Sequence, residues 1–236
     1  YTLPTTLAGM LSTIPLSLIT VAIPRLSKYI GENDRESYIN TLKSTCRTYM
    51  AILIPMSFGV MVLAKEIMWL YSKDVYTYTY PVLICAALSR IVFGYQSIMT
   101  YLVMYVNSME KKLTVLLFQG GVINCILNFS LILVGNFSAL SALITTMIAV
   151  LVFIFLSLRY AKNNLDLKGI FITKEIIGYF IIGICFIPIS IGVNLLHLGY
   201  IWNIVIEIVL CVGLYGFYMI YTKDPLLDVV FRKFRM

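Results

Sequence analysis

Charge is scarce in this sequence. Only 12% of its 236 residues are charged, 60% are hydrophobic, and mean hydropathy is +0.91. A water-soluble domain carries roughly twice that charge density. Histidine is scarcer still: His197 stands alone, with no acid beside it. Paired carboxylates, a Gly-rich phosphate loop, HExxH and GxSxG are all missing. The clustered acids or large extramembrane segment of a membrane glycosyltransferase or polymerase are missing too. The chain is therefore not read as an enzyme, and no catalytic residue, cofactor or metal site is expected. None of the five cysteines has CxxC spacing, which removes a zinc ribbon or redox pair. Cys85, Cys125, Cys185 and Cys211 fall within apolar runs and Cys46 at a boundary, as small core residues do.

What is present is a series of apolar runs, each near the roughly 20 residues that a bilayer requires. About seven helical spans are read, at about 3–24, 47–71, 81–107, 113–134, 137–160, 174–196 and 200–221. The runs are continuously apolar rather than alternating, which excludes a closed β-barrel. The fold class is all-α integral membrane.

The net charge of +7 does not signal nucleic acid, because the cations follow a topological pattern. Of 18 Lys and Arg, 15 fall in alternate loops, led by Arg25, Lys28, Arg35, Lys43 and Arg47. Lys65 and Lys73 lie in the opposite loops, and Arg90 lies inside a span. Positive loops resist translocation, so 25–46, 108–112, 161–173 and the tail are placed on the cytoplasmic side. Aromatic residues at the opposite boundaries (Trp69, Tyr71, Tyr76, Tyr78, Tyr80, Tyr200 and Trp202) fit the interfacial preference of such rings. The C-terminus is then cytoplasmic. The chain lacks a starting methionine and enters a span almost at once, as expected of the C-terminal piece of a longer protein.

Some spans carry polar stripes. Thr6, Gly9, Thr13, Ser17 and Thr20 share one face of the first, which Pro15 interrupts and which is expected to end at Pro24. Such a stripe suits either helix packing or a watery cavity. Gly120, Asn124 and Asn128 form a second stripe, on the fourth span, where packing with hydrogen bonds across helices is the leading reading. Pro55 and Pro188 bend the second and sixth spans. The last dozen residues, PLLDVVFRKFRM, read as an amphipathic anchor on the anionic inner leaflet.

Charges within the membrane are costly and therefore informative. Arg90 lies about 13 Å along the third span, near the bilayer centre. A guanidinium there needs an acid, a watery cavity or a phosphorylated ligand. Glu207, in the last span, pairs with a cation, relays a proton or serves a structural or interfacial role, the last being favoured. Lys65 and Glu66 are expected to mark the outer edge of the second span.

The order of IPRLSKYIGENDRESY, AILIPMSFGVMVLAKEIMWLYS, PVLICAALSRIVFGYQSIMTYLVMYV, the turn NSMEKK and LTVLLFQGGVINCILNFSLIL carries a resemblance. It resembles the C-terminal half of the polysaccharide transporter branch of the multidrug/oligosaccharidyl-lipid/polysaccharide superfamily, which includes the bacterial O-antigen and capsule flippases. The resemblance implies a five-span C-terminal lobe over 1–160, two added spans over 161–222 and a cationic amphipathic tail over 223–236. It implies flipping of an undecaprenyl-diphosphate-linked oligosaccharide across the bacterial inner membrane by alternating access. The partners implied are that lipid-linked substrate, membrane lipids and an N-terminal lobe of the same chain. Arg90 would meet the diphosphate, and Thr13, Ser17 and Asn124 would line the cavity. A cation- or proton-coupled multidrug exporter usually places acids in its lobes, whereas here only Glu207 lies within a span. A structural membrane subunit is the third reading. A lipid II flippase is a close cousin that these residues do not exclude.

Overall fold

The computed structural model describes residues 2–73, 75–167, 169–196, 198–224 and 226. Among the described residues nine α-helices follow in order: α1 (Thr2–Met10), α2 (Thr13–Gly31), α3 (Arg35–Val62), α4 (Ala64–Ser72), α5 (Tyr80–Ser97), α6 (Glu110–Leu133), α7 (Ala139–Asn164), α8 (Lys174–Asn194) and α9 (Tyr200–Tyr221). A short 3-10 turn, Thr77–Thr79, precedes α5, and α5 continues as a π-helix over Ile98–Tyr105. No strand occurs among the described residues. Six of these helices, α3 and α5 to α9, are long and apolar enough to cross a membrane, and the α1–α2 pair forms a bent seventh.

The bend in the first span has a local cause. Proline has no N–H and its ring clashes with the carbonyl four residues back, and for Pro15 that carbonyl belongs to Leu11. The chain breaks there, with Leu11 and Ser12 donating instead to Ala8 and Gly9, and the two segments meet at 48°.

The expected end at Pro24 and the expected loop over 25–46 are both corrected. Helix α2 runs through Pro24 to Gly31 because Leu26 is buried and Ile23, Tyr29 and Ile30 pack on the core, which outweighs one lost hydrogen bond. Only residues 32–34 leave the helix. Asn33 takes a left-handed conformation (φ 55°), and its N–H and that of Asp34 donate to Ile30 and Tyr29, a closure that satisfies the last free carbonyls of a helix. Asp34 then caps α3 by accepting from the Ser37 N–H at 3.0 Å. The Ser37 side chain, and then its backbone N–H, hold this carboxyl below the usual aspartate range. Arg35 ties this elbow to the end of α7 by donating to the Leu165 carbonyl at 2.8 Å. A cation suits the negative end of a helix.

Helix α3 is the centre of the bundle, packed against α2, α5 and α8. Helix α5 also packs on α1 and α7, α6 lies on α7, and α9 lies on α8. The helices cross closely where glycine allows it. A Cβ at Gly94 would collide with Leu53 and Tyr49, and one at Gly183 with Phe58. The π-helix is held by Tyr38, which donates to the Leu102 carbonyl, and by Asn107, whose amide donates to Tyr38 Oη (2.9 Å) and the Val103 carbonyl (2.7 Å). Outward faces of α6, α8 and α9 are apolar, with Phe118, Phe129, Ile184, Val209 and Phe217 exposed, as a bilayer solvent requires. Cys125 lies on such an exposed face rather than in the core, whereas Cys46 and Cys211 are buried. His197 and the amphipathic reading of residues 227–236 lie outside the described residues.

Candidate functional site

The polar stripe of the first span is on an open face. Pro4, Ala8, Leu11, Pro15, Ile19 and Ala22 turn inward, while Thr6, Thr13, Ser17 and Thr20 are exposed. The Ser17 hydroxyl donates to the Ile14 carbonyl at 2.7 Å and Thr20 to that of Leu16 at 3.2 Å. These hydroxyls are satisfied within their own helix and still offer lone pairs outward. The face is mixed, since Met10, Ile14 and Val21 share it.

Arg90 is half-buried on α5, whose first half packs against α1. Its Nε donates to the Ala86 carbonyl at 3.4 Å, and its guanidinium lies over the Phe93 ring at 4.8 Å from the centroid. Stacking of this kind orients a guanidinium.

Asn124 is placed elsewhere. It lies between α6 and α7, where its amide donates to Thr146 Oγ1 at 3.4 Å. Asn128 donates to Asn124 Oδ1 at 2.8 Å, and the Thr145 hydroxyl donates to Asn128 Oδ1 at 2.6 Å. The second stripe is thus a hydrogen-bonded ladder between two helices, the packing reading of that pattern. Thr13 and Ser17 share one face. Asn124 belongs to a different helix pair, because the main partners of α6 are α7 and the π-helix.

A feature the sequence did not suggest is an apolar groove of about 560 Å³ between α3 and α9. Pro55, Gly59 and Val60 form one wall, Ile208, Cys211 and Val212 the other. Helix α9 is tied to α3 within the groove and to α4 beyond it. Tyr215 donates to the Ala51 carbonyl at 2.6 Å, and Trp69 stacks on Tyr200 with centroids 4.7 Å apart. The fifteen-residue interval between those tyrosines spans about 22 Å of helix. Gly59 keeps the wall low, with nothing within 4 Å of where its Cβ would be. Pro55 and Gly59 were the available signal, but a groove needs the position of α9 as well.

Of the two acids, Glu66 differs from its expected placing, and Glu207 departs from the interfacial half of its structural or interfacial reading. Glu66 does not mark an edge: it is 2% exposed, whereas Lys65 beside it is exposed and lies over the Tyr200 ring at 5.9 Å. Glu207 is fully buried and touches the groove rather than the interface. Among the described residues no group of three or more His, Cys, Asp or Glu could hold a metal ion.

The sequence matches the family model of the lipid II flippase MurJ over residues 5–222. The chain belongs to the MurJ family. That family consists of flippases, which are transporters and not enzymes. It falls within the superfamily expected from the motif order, and the O-antigen and capsule branch is not singled out. A solved structure described as "Lipid II flippase MurJ, inward closed conformation" superposes with a TM-score of 0.70 at 21% identity. The superposition covers 96% of this chain and 46% of that one, so the chain spans about half the length of that flippase. At this identity the likeness shows the fold. No curated protein matches the chain.

Proposed function

We propose that this chain forms one half of a flippase that moves a polyprenyl-diphosphate-linked sugar across the bacterial cytoplasmic membrane, with its C-terminus on the cytoplasmic side. Residues 1–160 are the lobe, and 161–222 are an added helix pair that lays α9 along it. The observation that carries this reading is the apolar groove between α3 and α9, together with membership of the MurJ family. A polyprenyl tail is a long flexible hydrocarbon, and a groove lined along α9 from Glu207 to Met219, about 18 Å of helix, suits one without demanding a fixed end. Arg90 provides a charged donor set matched to a diphosphate. The exposed hydroxyls of Thr13 and Ser17 give a sugar path that forms hydrogen bonds without fixed charge. Asn124, tied into its ladder, contributes by holding α6 to α7.

The family name favours lipid II as cargo, and an O-antigen or capsule oligosaccharide would present the same lipid diphosphate. Depletion of the intact protein separates them. Lysis with peptidoglycan precursor stranded on the inner leaflet is expected for lipid II. Normal growth with lost surface glycan would assign the oligosaccharide, and raised drug retention alone would move the assignment to an exporter. In the depleted strain, Arg90→Ala is expected to lower flipping at least tenfold while the protein remains in the membrane. Wild-type flipping by that variant would remove Arg90 from the site.

A further inference from the structure

Where α4 and α8 both pack on α9, the interior holds acceptors that nothing satisfies. Glu207 is 0% exposed, Glu66 2% and Asn203 6%. Both donors that reach Glu207 go to the same oxygen: Ser190 Oγ at 3.1 Å and Asn194 Nδ2 at 3.3 Å, both to Oε1. Asn203 donates to Asn194 Oδ1 at 3.0 Å, which closes the chain of bonds on that side. Glu207 Oε2, Glu66 Oε2 and Asn203 Oδ1 are left buried without a partner. Asn203 and Glu207 are four residues apart on α9 and so share one face, and Glu66 sits on α4 where that helix packs on α9, one turn before Trp69, which stacks on Tyr200. Cys211 faces Glu207 from the next turn of α9. Lys65, the adjacent cation in the chain, is turned outward over Tyr200.

Two carboxylates and an amide in an apolar setting, each with one bare oxygen, form an electrostatically incomplete group. Burying one unpaired ion costs several kcal/mol even after relaxation, and every unmet buried acceptor adds to that cost. A single proton supplies one donor and leaves at least one oxygen bare. A hard metal cation satisfies several oxygens together, and carboxylate, amide carbonyl and hydroxyl are the ligand types such ions select. We propose that the α4–α8–α9 junction is a binding site for a hard cation of the alkali or alkaline-earth class, held by oxygens of Glu66, Glu207 and Asn203, with Ser190 and Asn194 fixing the Glu207 carboxylate. The ion would join three helices at the edge of the α3–α9 groove, which Glu207 also lines. The inference goes beyond flipping and does not depend on which lipid is carried.

The test uses the intact protein in lipid nanodiscs, prepared in choline chloride. Thermal unfolding is followed as NaCl, KCl, CaCl₂ or MgCl₂ is added at constant ionic strength. A saturable rise in midpoint with sodium or calcium is expected, with magnesium weakest because it dehydrates reluctantly. Glu207→Gln should abolish the response. Asn203→Ala, which keeps both charges and loses one ligand, should raise the half-saturating concentration about tenfold; it decides the matter if Glu207→Gln does not fold. No saturable response in the wild type overturns the site, as does an equal response in Glu207→Gln. Stabilisation that follows pH in choline alone assigns the positive charge to a proton and overturns the metal site.

Discussion

Two of the polar clusters in this apolar bundle are built in opposite ways. Between α6 and α7, Asn124, Asn128, Thr145 and Thr146 are all neutral, and each acceptor in the ladder meets a donor. Where α4 and α8 both pack on α9, Glu66 and Glu207 are ionisable, and three buried oxygens have no donor at all. A closed neutral ladder fastens two helices and asks for nothing further. An open acidic cluster is a poor fastener unless something positive enters it. The difference separates a structural use of polar residues in a membrane from a ligand-directed one. It also bears on the first stripe, whose Ser17 and Thr20 hydroxyls are satisfied within one helix and so fasten nothing.

The contrast predicts mutations of opposite sign. In cation-free buffer, Glu207→Gln should stabilise the intact protein by about 2 kcal/mol, because it removes an unpaired buried charge and adds a donor among bare acceptors. In the ladder, Asn128→Ala should destabilise by about 1 kcal/mol, since it strands the Asn124 carbonyl and removes the bond from Thr145 across the helices, leaving that hydroxyl the Ala142 carbonyl of its own helix at 2.9 Å. Reversible unfolding in detergent, followed by tryptophan fluorescence, would read both. If both changes destabilise in the absence of cations, the acidic cluster is a closed structural network and the contrast fails.

The helices themselves were largely legible in the sequence, because apolar runs of bilayer length permit little else. Helix α9 spans Tyr200–Tyr221, the interval read from hydropathy, and α8 starts at Lys174 behind a Thr173 cap. The charged stretch 25–46 was misread as a loop. Charge does not break a helix; the punctuation there is Asn33 and Asp34, which hold the elbow that follows α2. Glu66 was misread through its neighbour. Adjacent helical residues point about 100° apart, so Lys65 faces out while Glu66 faces in. The four-residue spacing of Asn124 and Asn128 announced a shared face, but not its partners Thr145 and Thr146, which only the packing of α7 supplies. The groove was hidden for the same reason, since its second wall lies some 150 residues from its first.

The smallest effect separates the two rungs of the ladder. Thr145 donates to Asn128 over 2.6 Å, whereas Asn124 donates to Thr146 over 3.4 Å. Thr146 also gives its own proton to the Ala142 carbonyl at 2.8 Å, so it receives Asn124 with a lone pair and loses little when that donor is removed. Double-mutant cycles with Asn128→Ala and Thr145→Ala, and with Asn124→Ala and Thr146→Ala, isolate each pairwise term. The short rung should couple by about 1 kcal/mol and the long one by less than about 0.6 kcal/mol, the average found for hydrogen bonds between membrane helices. Equal coupling would mean that the four side chains act as one cooperative network, so that Asn124 carries as much of the α6–α7 contact as Asn128.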